Sequence, residues 1–329
     1  MVDHIHGEIF VLQPSTVVVY PLNADGDVAP VRQLIGPTTL LHHPSGLALD
    51  VVHDELIVVD AVTGDILAFP RNASGDVPPL RRISTPPNSR NYLRESKDLA
   101  FDTATASLVV SNGPGLEIAE FLTIGGDTAP RAVQNLPRGW ISLDSFAVDA
   151  DHLYIAASRV TGSYEMVCPR RSANPDNLIG GDCVGDRTHD PPLIRILPSA
   201  NNVMVLSSDR VNTFGQNWSF LRTLTGLQAS RDIAIDEEHY ELLVLDSRGV
   251  LAFPLAAEGA ATPLRQLQVP ADAHRLMVDE KRDRIDVLTL TGIFSYARTA
   301  SGAASPLGLL RGPRSGLQQA VAFVLCSTL

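Results

Sequence analysis

Cysteine is scarce in this chain, three among 329 residues. That number is odd and too small for the disulfide framework of a small secreted scaffold. Basic residues are outnumbered, 26 Lys and Arg against 37 Asp and Glu, for a formal net charge of −11. This balance argues against binding nucleic acid or an anionic membrane through a basic patch, and it is also the ordinary surface of a soluble protein. No run of about 18 apolar residues occurs, so no membrane-spanning helix is expected. The opening MVDHIHGEIFVLQ has neither a basic n-region nor an apolar h-region, so no signal peptide is expected in this sequence. No G-x-S-x-G elbow, phosphate-binding loop or H-E-x-x-H zinc motif is found. Apolar residues make up 44% of the chain and charged residues 19%, a balance that favours a large folded core over disorder.

What is abundant is repetition. A short apolar stretch ending in an aromatic recurs at Tyr20, Phe69, Phe121, Phe214, Phe253 and Tyr296, with Cys168 in the same place between the third and fourth, 39 to 52 residues apart. A second pair of stretches, GLALD and ELIVVD around a short turn, recurs alongside it. Alternation of apolar and polar residues with Val, Ile, Leu and Phe enrichment is a strand signal. Each unit therefore supplies four strands, a (GLALD-like), b (ELIVVD-like), c (ILAFP-like) and d (VRQLI-like). Four-stranded units of this length describe a β-propeller. The expectation is an all-β, single domain over residues 1–329, with seven four-stranded antiparallel blades and six as the fallback count. One blade is expected to be stitched from both ends. The head would give b at Glu8–Gln13, c at Thr16–Pro21 and d at Val31–Ile35, and the tail would give a at Gln319–Leu325. Such closure removes unpaired sheet edges. In the fourth unit, strand d is expected at Asn177–Ile179, by laying RRSANPDNLIGG on NADGDVAPVRQLIG.

The pieces NADGDVAPVRQLIG, PSGLALD and ELIVVD resemble the bacterial propeller repeats related to the NHL and YVTN families, over essentially the whole chain. The resemblance implies the propeller architecture and a secreted or periplasmic location. It leaves function open, because proteins of that broad class include protein-binding scaffolds, lactonases and lyases, and fold analogy alone does not assign chemistry. The tryptophan–aspartate signature of WD40 blades is absent.

Several motifs read as scaffold. The pattern D-x-x-H-x-E at Asp3/His6/Glu8, Asp50/His53/Glu55 and Asp236/His239/Glu241 falls on a–b hairpins of different units. Its copies cannot converge on one ion, and each Asp is expected to cap its own turn. The turns at Asp25–Asp27 and Ser74–Asp76 need Gly for a positive φ. The Arg that follows them (Arg32, Arg81, Arg131, Arg222, Arg265) is expected to protect an outer edge by its charge.

The face carrying the d–a and b–c loops is where the repeat becomes individual, and loops on a rigid scaffold are where binding usually resides. Its candidate ligand-binding residues are His42, His43, Tyr92, Arg94, Arg138, Trp140, Asp144, Arg231, Asp232, His274 and Arg275. A Gly-rich loop, GGDCVGDRTHDPP, gathers Asp182, Cys183, Asp186, His189 and Asp190. Those are ligand types for zinc or calcium, although their spacing matches no familiar closed site. A Cys168–Cys183 bridge competes for the same loop but is disfavoured, since strand d at 177–179 would hold the two about 15 Å apart. Cys326 is expected to be a buried small hydrophobe. Beside a purely structural or envelope repeat protein with no small ligand, two classes of function remain. The first is a monomeric binding propeller with no catalytic residue and no cofactor, recognising a protein, peptide or glycan across the d–a face. The alternative is a metal-dependent lactonase or lyase with ligands such as His42, Asp144, Asp232 and His274 at the same mouth.

Overall fold

The computed structural model describes residues 2–84, 96–102, 107–112, 117–122, 132–135, 140–148, 152–159, 162–169, 184–188, 193–198, 202–215 and 219–317. Among these the strands form seven four-stranded antiparallel sheets, each from consecutive segments. Sheet 1 holds β1 (Val2–Asp3), β2 (Glu8–Gln13), β3 (Thr16–Pro21) and β4 (Arg32–Leu34). Sheet 2 holds β5 (Pro44–Asp50), β6 (Glu55–Asp60), β7 (Asp65–Pro70) and β8 (Arg81–Ser84). Sheet 3 holds β9 (Ser96–Asp102), β10 (Ser107–Asn112), β11 (Glu117–Leu122) and β12 (Ala132–Asn135). Sheet 4 holds β13 (Trp140–Val148), β14 (His152–Arg159), β15 (Gly162–Pro169) and β16 (Val184–Thr188). Sheet 5 holds β17 (Leu193–Pro198), β18 (Asn202–Ser207), β19 (Val211–Gly215) and β20 (Phe220–Leu224). Sheet 6 holds β21 (Asp232–Asp236), β22 (Glu241–Asp246), β23 (Gly249–Pro254) and β24 (Arg265–Leu267). Sheet 7 holds β25 (Arg275–Asp279), β26 (Arg284–Thr289), β27 (Gly292–Ala297) and β28 (Gly308–Arg311). The described helical residues are two 3₁₀ turns, Pro37–Thr39 and Glu280–Arg282. The architecture is all-β and propeller-like.

Every recurring anchor, from Tyr20 to Tyr296, lies on the third strand of its sheet. The core lies between neighbouring sheets. One cluster joins Phe10, Leu12 and Val19 of sheet 1 to Leu47, Ile57 and Phe69 of sheet 2 and to Leu108 and Val110 of sheet 3. Others join sheets 5 and 6 (Leu206, Val211, Ile233, Phe253) and sheets 6 and 7 (Leu243, Val250, Val287, Tyr296). A further cluster joins Met277, Leu288 and Ile293 of sheet 7 to Val2, Ile9, Val11 and Tyr20 of sheet 1. Because the strands are apolar on both faces, each sheet needs a neighbour on each side to keep water out.

A hydrogen-bonded bridge repeats at these joints. At four joints among the described residues, the Gly of a c–d turn exchanges two backbone bonds with the d strand of the preceding sheet. Gly75 donates to Gln33 O and accepts from Ile35 N, Gly259 does the same with Thr223 and Thr225, and Gly302 with Gln266 and Gln268. Gly26 of sheet 1 makes the same pair of bonds with Leu309 and Arg311 of sheet 7. These turn glycines have the expected positive φ, 77° at Gly26 and 79° at Gly75.

Three details differ from the sequence expectation. The first strand of sheet 1 in the described residues is β1, from the N-terminus; the expected tail strand Gln319–Leu325 and Cys326 lie outside the described residues. The outer strand of sheet 4 is β16 at Val184–Thr188, not Asn177–Ile179, because the Asn-Leu-Ile-Gly segment imitates the d-strand composition without being the segment that pairs with β15. The d-strand arginines do more than charge an edge. Arg32 forks onto Glu8 (2.5 and 2.8 Å), Arg265 onto Glu241 (2.7 and 2.5 Å), and Arg81 onto Glu55. Bidentate guanidinium–carboxylate pairs of this kind join strands b and d across the end of strand c. Arg222 instead donates to Leu255 O of the next sheet. Arg131 lies outside the described residues, and Ala132, opposite Glu120, holds the matching register position.

The Arg265 guanidinium beside Glu241 holds that carboxyl below its ordinary range against the opposing effect of burial, with Arg298 adding to it. A carboxyl depressed in the folded state contributes stability that is present above its unfolded value and lost as pH falls through the folded one. Glu241→Gln is therefore expected to cost about 1–2 kcal/mol near neutrality. The difference from the parent should shrink as pH is lowered below about 4.5, which urea melts at pH 7 and pH 3.5 would measure.

Candidate functional site

The loops that enter strand a and the turns that join b to c lie on one face, and single carboxylates hold them together. Asp60, fully buried at the end of β6, accepts His42 N (2.6 Å) and His43 N (2.7 Å) through Oδ2. Through Oδ1 it accepts Val62 N (3.1 Å), Thr63 N (3.0 Å) and the Thr63 hydroxyl. Burial alone would raise this carboxyl. The four backbone N–H donors outweigh it, and Asp60 sits below the ordinary carboxylate range. Sheet 6 repeats the device with Asp246, which accepts Gln228 N and Arg248 N and pairs with the Arg248 side chain. At sheet 7 the direction is reversed, and Asp272 in the loop accepts Leu290 N of the b–c turn.

A second carboxylate fixes the far end of the same loop. Asp76, in the c–d turn of sheet 2, accepts Thr38 N (2.7 Å) and the Thr38 hydroxyl from the loop leaving sheet 1. Asp27 does the same for Arg314 N and Ser315 N beyond sheet 7. Nothing in the local sequence marks these aspartates as clamps, since their partners lie 38 and 287 positions away.

Within this frame the described candidates fall into two groups. Arg231 and Asp232 are turned to the scaffold. The Arg231 guanidinium donates to Ala271 O and Ala273 O, both at 2.7 Å, and the buried Asp232 carboxylate accepts Leu276 N at 2.8 Å. Both join sheet 6 to the loop and first strand of sheet 7. His42 and His43 are exposed, while His274 and Arg275 are half-buried. The His42 ring contacts Leu40 O (2.9 Å) and the His274 ring Asp272 O (3.2 Å), each within its own loop. His43 and Arg275 have no side-chain partner among the described residues. His42, His43 and His274 present polar groups from loops whose backbones are pinned, and Arg275 does so from the first position of β25.

Trp140 and Asp144 lie on β13 rather than in a loop. The pairing with β14 slips at Asp144, between Leu143 and Ser145, and again between Trp140 and Ser142. Tyr92, Arg94 and Arg138 lie outside the described residues. So do Asp182, Cys183, His189 and Asp190 of the metal-ligand set, whereas Asp186 is a strand residue opposite Glu165. A strand position points alternate residues to opposite faces, so the expectation of one flexible loop from 182 to 190 does not hold at 184–188. Among the described residues no group of three or more His, Cys, Asp and Glu gathers where an ion would be held.

The opposite face carries the D-x-x-H-x-E turns, and each Asp caps its own turn as expected. Asp3 accepts Ile5 N and His6 N, and Asp50 accepts Val52 N and His53 N. The His ring closes each motif by bonding the same carboxylate, at 2.8 Å for His6, 2.7 Å for His53 and 2.9 Å for His239. The Glu is the partner of the d-strand Arg, so all three motif residues serve the fold.

The two best-formed cavities in the described residues are small, about 10 Å³ beside Ile57 and Leu108 and about 30 Å³ beside His4 and Lys281. Neither is larger than a water or two. Neither opens among the d–a loops. Among the described residues no helix is long and apolar enough to cross a membrane.

No family model matches the chain, and no curated protein does. Solved structures do share its fold. The computationally designed Ika8 protein superposes with a TM-score of 0.60 at 14% identity, over 85% of this chain and 76% of that one. Hsv2 from Kluyvelomyces marxianus, which is propeller-like, superposes with a TM-score of 0.60 at 13% identity, over 90% of each chain. At such identities the likeness is one of fold, and the chain is a propeller-like all-β protein by geometry and by comparison alike.

Proposed function

We propose that the chain is a closed seven-bladed propeller that binds a protein, peptide or glycan across the d–a loop face, without chemistry of its own. Support for closure comes from the joint between sheets 7 and 1, which repeats the Gly bridge, the Asp clamp and the apolar cluster of sequential joints. Gln13 Nε2 also donates to Gly316 O at 2.6 Å, and the Tyr20 hydroxyl donates to Ser315 O. A tail strand at 319–325 would then complete sheet 1 beside β2, as an NHL-like repeat array requires.

The observation that carries the binding reading is the contrast within one loop. The Thr38–His43 backbone is fixed at both ends by Asp76 and Asp60, while the imidazoles of His42 and His43 project into solvent. Rigid presentation of exposed polar side chains lowers the entropy lost on association. The residues expected to carry recognition are His42, His43, His274 and Arg275, joined by Tyr92, Arg94, Arg138 and Trp140 if the neighbouring loops converge.

The test is a side-by-side screen of the parent and a His42→Ala/His43→Ala/His274→Ala/Arg275→Ala variant on a glycan array and a displayed peptide library. The variant should stay folded, with a melting temperature within a few degrees of the parent's, since His42 and His43 are exposed and His274 and Arg275 only half-buried, and it should lose at least tenfold in affinity for parent-selected ligands. Undiminished binding by the variant places recognition elsewhere. Stoichiometric metal in the purified protein, found by elemental analysis, would favour the lactonase or lyase alternative.

A further inference from the structure

Cys168 is fully buried on β15 and is disulfide-bonded. The chain offers two partners, Cys183 and Cys326, both outside the described residues. We infer that the partner is Cys183, one residue before β16, and that the bond is a cross-strand staple replacing the ordinary ties of strand d in sheet 4.

The first support is register. β15 and β16 run antiparallel with Val167 opposite Val184 and Met166 opposite Gly185. Continuing that ladder by one residue takes Cys168 to Cys183. Directly opposed residues in an antiparallel pair have Cα atoms roughly 4.5–5.5 Å apart, inside the range a disulfide spans. The separation of about 15 Å reckoned from the sequence assumed a strand at 177–179. With the strand at Val184–Thr188 that objection falls away.

The second support is the repeat itself. Val19 lies opposite Arg32 in sheet 1, as Ala68 lies opposite Arg81 and Ala252 opposite Arg265. The residues next outward are Tyr20 on c and Val31 on d, Phe69 and Leu80, and Phe253 and Leu264, an aromatic beside an aliphatic whose N–H bonds back to the c residue that faces the Arg (Val31 N to Val19 O, Leu80 N to Ala68 O, Leu264 N to Ala252 O). By the Val167–Val184 register the matching pair in sheet 4 is Cys168 with Cys183. Both members of one cross-strand pair depart from the repeat together, and both depart to cysteine. The same sheet lacks the Glu–Arg fork. His152 takes the place of Glu8 (each faces a proline, Pro169 and Pro21), and Val184 takes the place of Arg32. Cys326 is the weaker partner by position. It follows the segment that would complete sheet 1, and described contacts of sheet 4 run to sheets 3 and 5.

Forming the bond removes a proton and an electron from each thiol. A small-molecule or enzyme disulfide accepts both electrons and leaves as two thiols. Persistence of the bond requires an oxidising compartment, so a protein exposed to a reducing cytosol would carry strand d of sheet 4 without its tie.

The test is thiol mapping after incubation of the purified full chain with oxidised and reduced glutathione. The protein is then denatured, alkylated with iodoacetamide and digested without reductant. One alkylated cysteine per chain, Cys326, and a linked peptide pair containing Cys168 and Cys183 are expected. Cys326→Ser should keep that pair, and Cys183→Ser should turn Cys168 into an alkylated residue. A Cys168–Cys326 peptide pair, or alkylation of all three cysteines after the glutathione step, overturns the inference. Because alkylation is read on denatured protein, a variant that folds poorly still reports.

Discussion

Replacing Asp60 by alanine is expected to remove about 3 kcal/mol of stability and to loosen the loop that presents His42 and His43. The carboxylate is fully buried and accepts five hydrogen bonds, from four backbone N–H groups and the Thr63 hydroxyl. Alanine leaves those donors at the end of a packed strand with no acceptor, and each unsatisfied buried donor costs about 1–3 kcal/mol unless water reaches it. Partial rehydration from the loop side keeps the total below the sum. Asn keeps one acceptor oxygen but puts N–H donors where the other carboxylate oxygen stood, so Asp60→Asn should fall near alanine rather than near the parent. The charged form is the one stabilised, since the N–H donors hold the Asp60 carboxyl below its ordinary value in spite of burial. Its contribution is therefore complete above the unfolded value of about 4 and declines as pH falls below it. Denaturant melts of parent and Asp60→Ala at pH 7 and pH 3 would read this, and the gap should be smaller at pH 3. An equal gap at both values would mean that the carboxylate charge is not what anchors the loop. Hydrogen exchange at His42, His43, Val62 and Thr63 should rise in the variant while that of the β6–β7 ladder changes less.

The same residue shows how far the sequence could be read. The strands were legible because apolar alternation is a local signal repeated seven times, and β2 and β3 fall where the pattern puts them. Sheet 4's outer strand was misplaced because Asn177–Gly180 copies the composition of a d strand, whereas pairing is decided by which segment can reach β15. Contacts between sheets left fainter traces. Asp27 and Asp76 looked like turn residues, and that reading is incomplete, because each also receives N–H groups from the preceding sheet's loop. The forks Glu8–Arg32, Glu55–Arg81 and Glu241–Arg265 did leave a signal, a near-constant spacing of opposite charges that recurs where the strands recur. Read as a pair, it would have replaced the edge-charge account of the arginines. In the loops, composition gathered the candidates on one face but could not sort them. Arg231 and His274 look equally available in sequence, and only the bonds from Arg231 to Ala271 and Ala273 mark it as a strut. Loop residues lack the periodicity that tells a buried strand position from an exposed one, so their partners are visible only in three dimensions.

The joint between the last sheet and the first gives the sharpest test of closure. Gly312, just past β28, has φ of +137° and lies against the Asp27 side chain of sheet 1, so a Cβ there would overlap the carboxylate. Its counterpart Gly36, between sheets 1 and 2, has φ of +130° and meets Asp76 in the same way. Side chains disfavour this backbone conformation, and the overlap adds to that cost, so Gly312→Ala is expected to destabilise by about 3 kcal/mol or more. Removing the obstacle with Asp27→Ala should recover only part of the loss. It relieves the overlap but leaves the strained φ, and it strips Arg314 N and Ser315 N of their acceptor. The coupling between the two substitutions, from a double-mutant cycle in urea, should therefore be non-zero and favourable. In a closed ring the seam variant should unfold cooperatively at a lower midpoint and match the internal variant Gly36→Ala in size, because both break equivalent joints. If the array were open at that point, Gly312→Ala would cost far less than Gly36→Ala, since the ends would separate without disturbing the remaining joints. Equal costs for the two glycines support a ring, and a large inequality in favour of Gly36 rules it out.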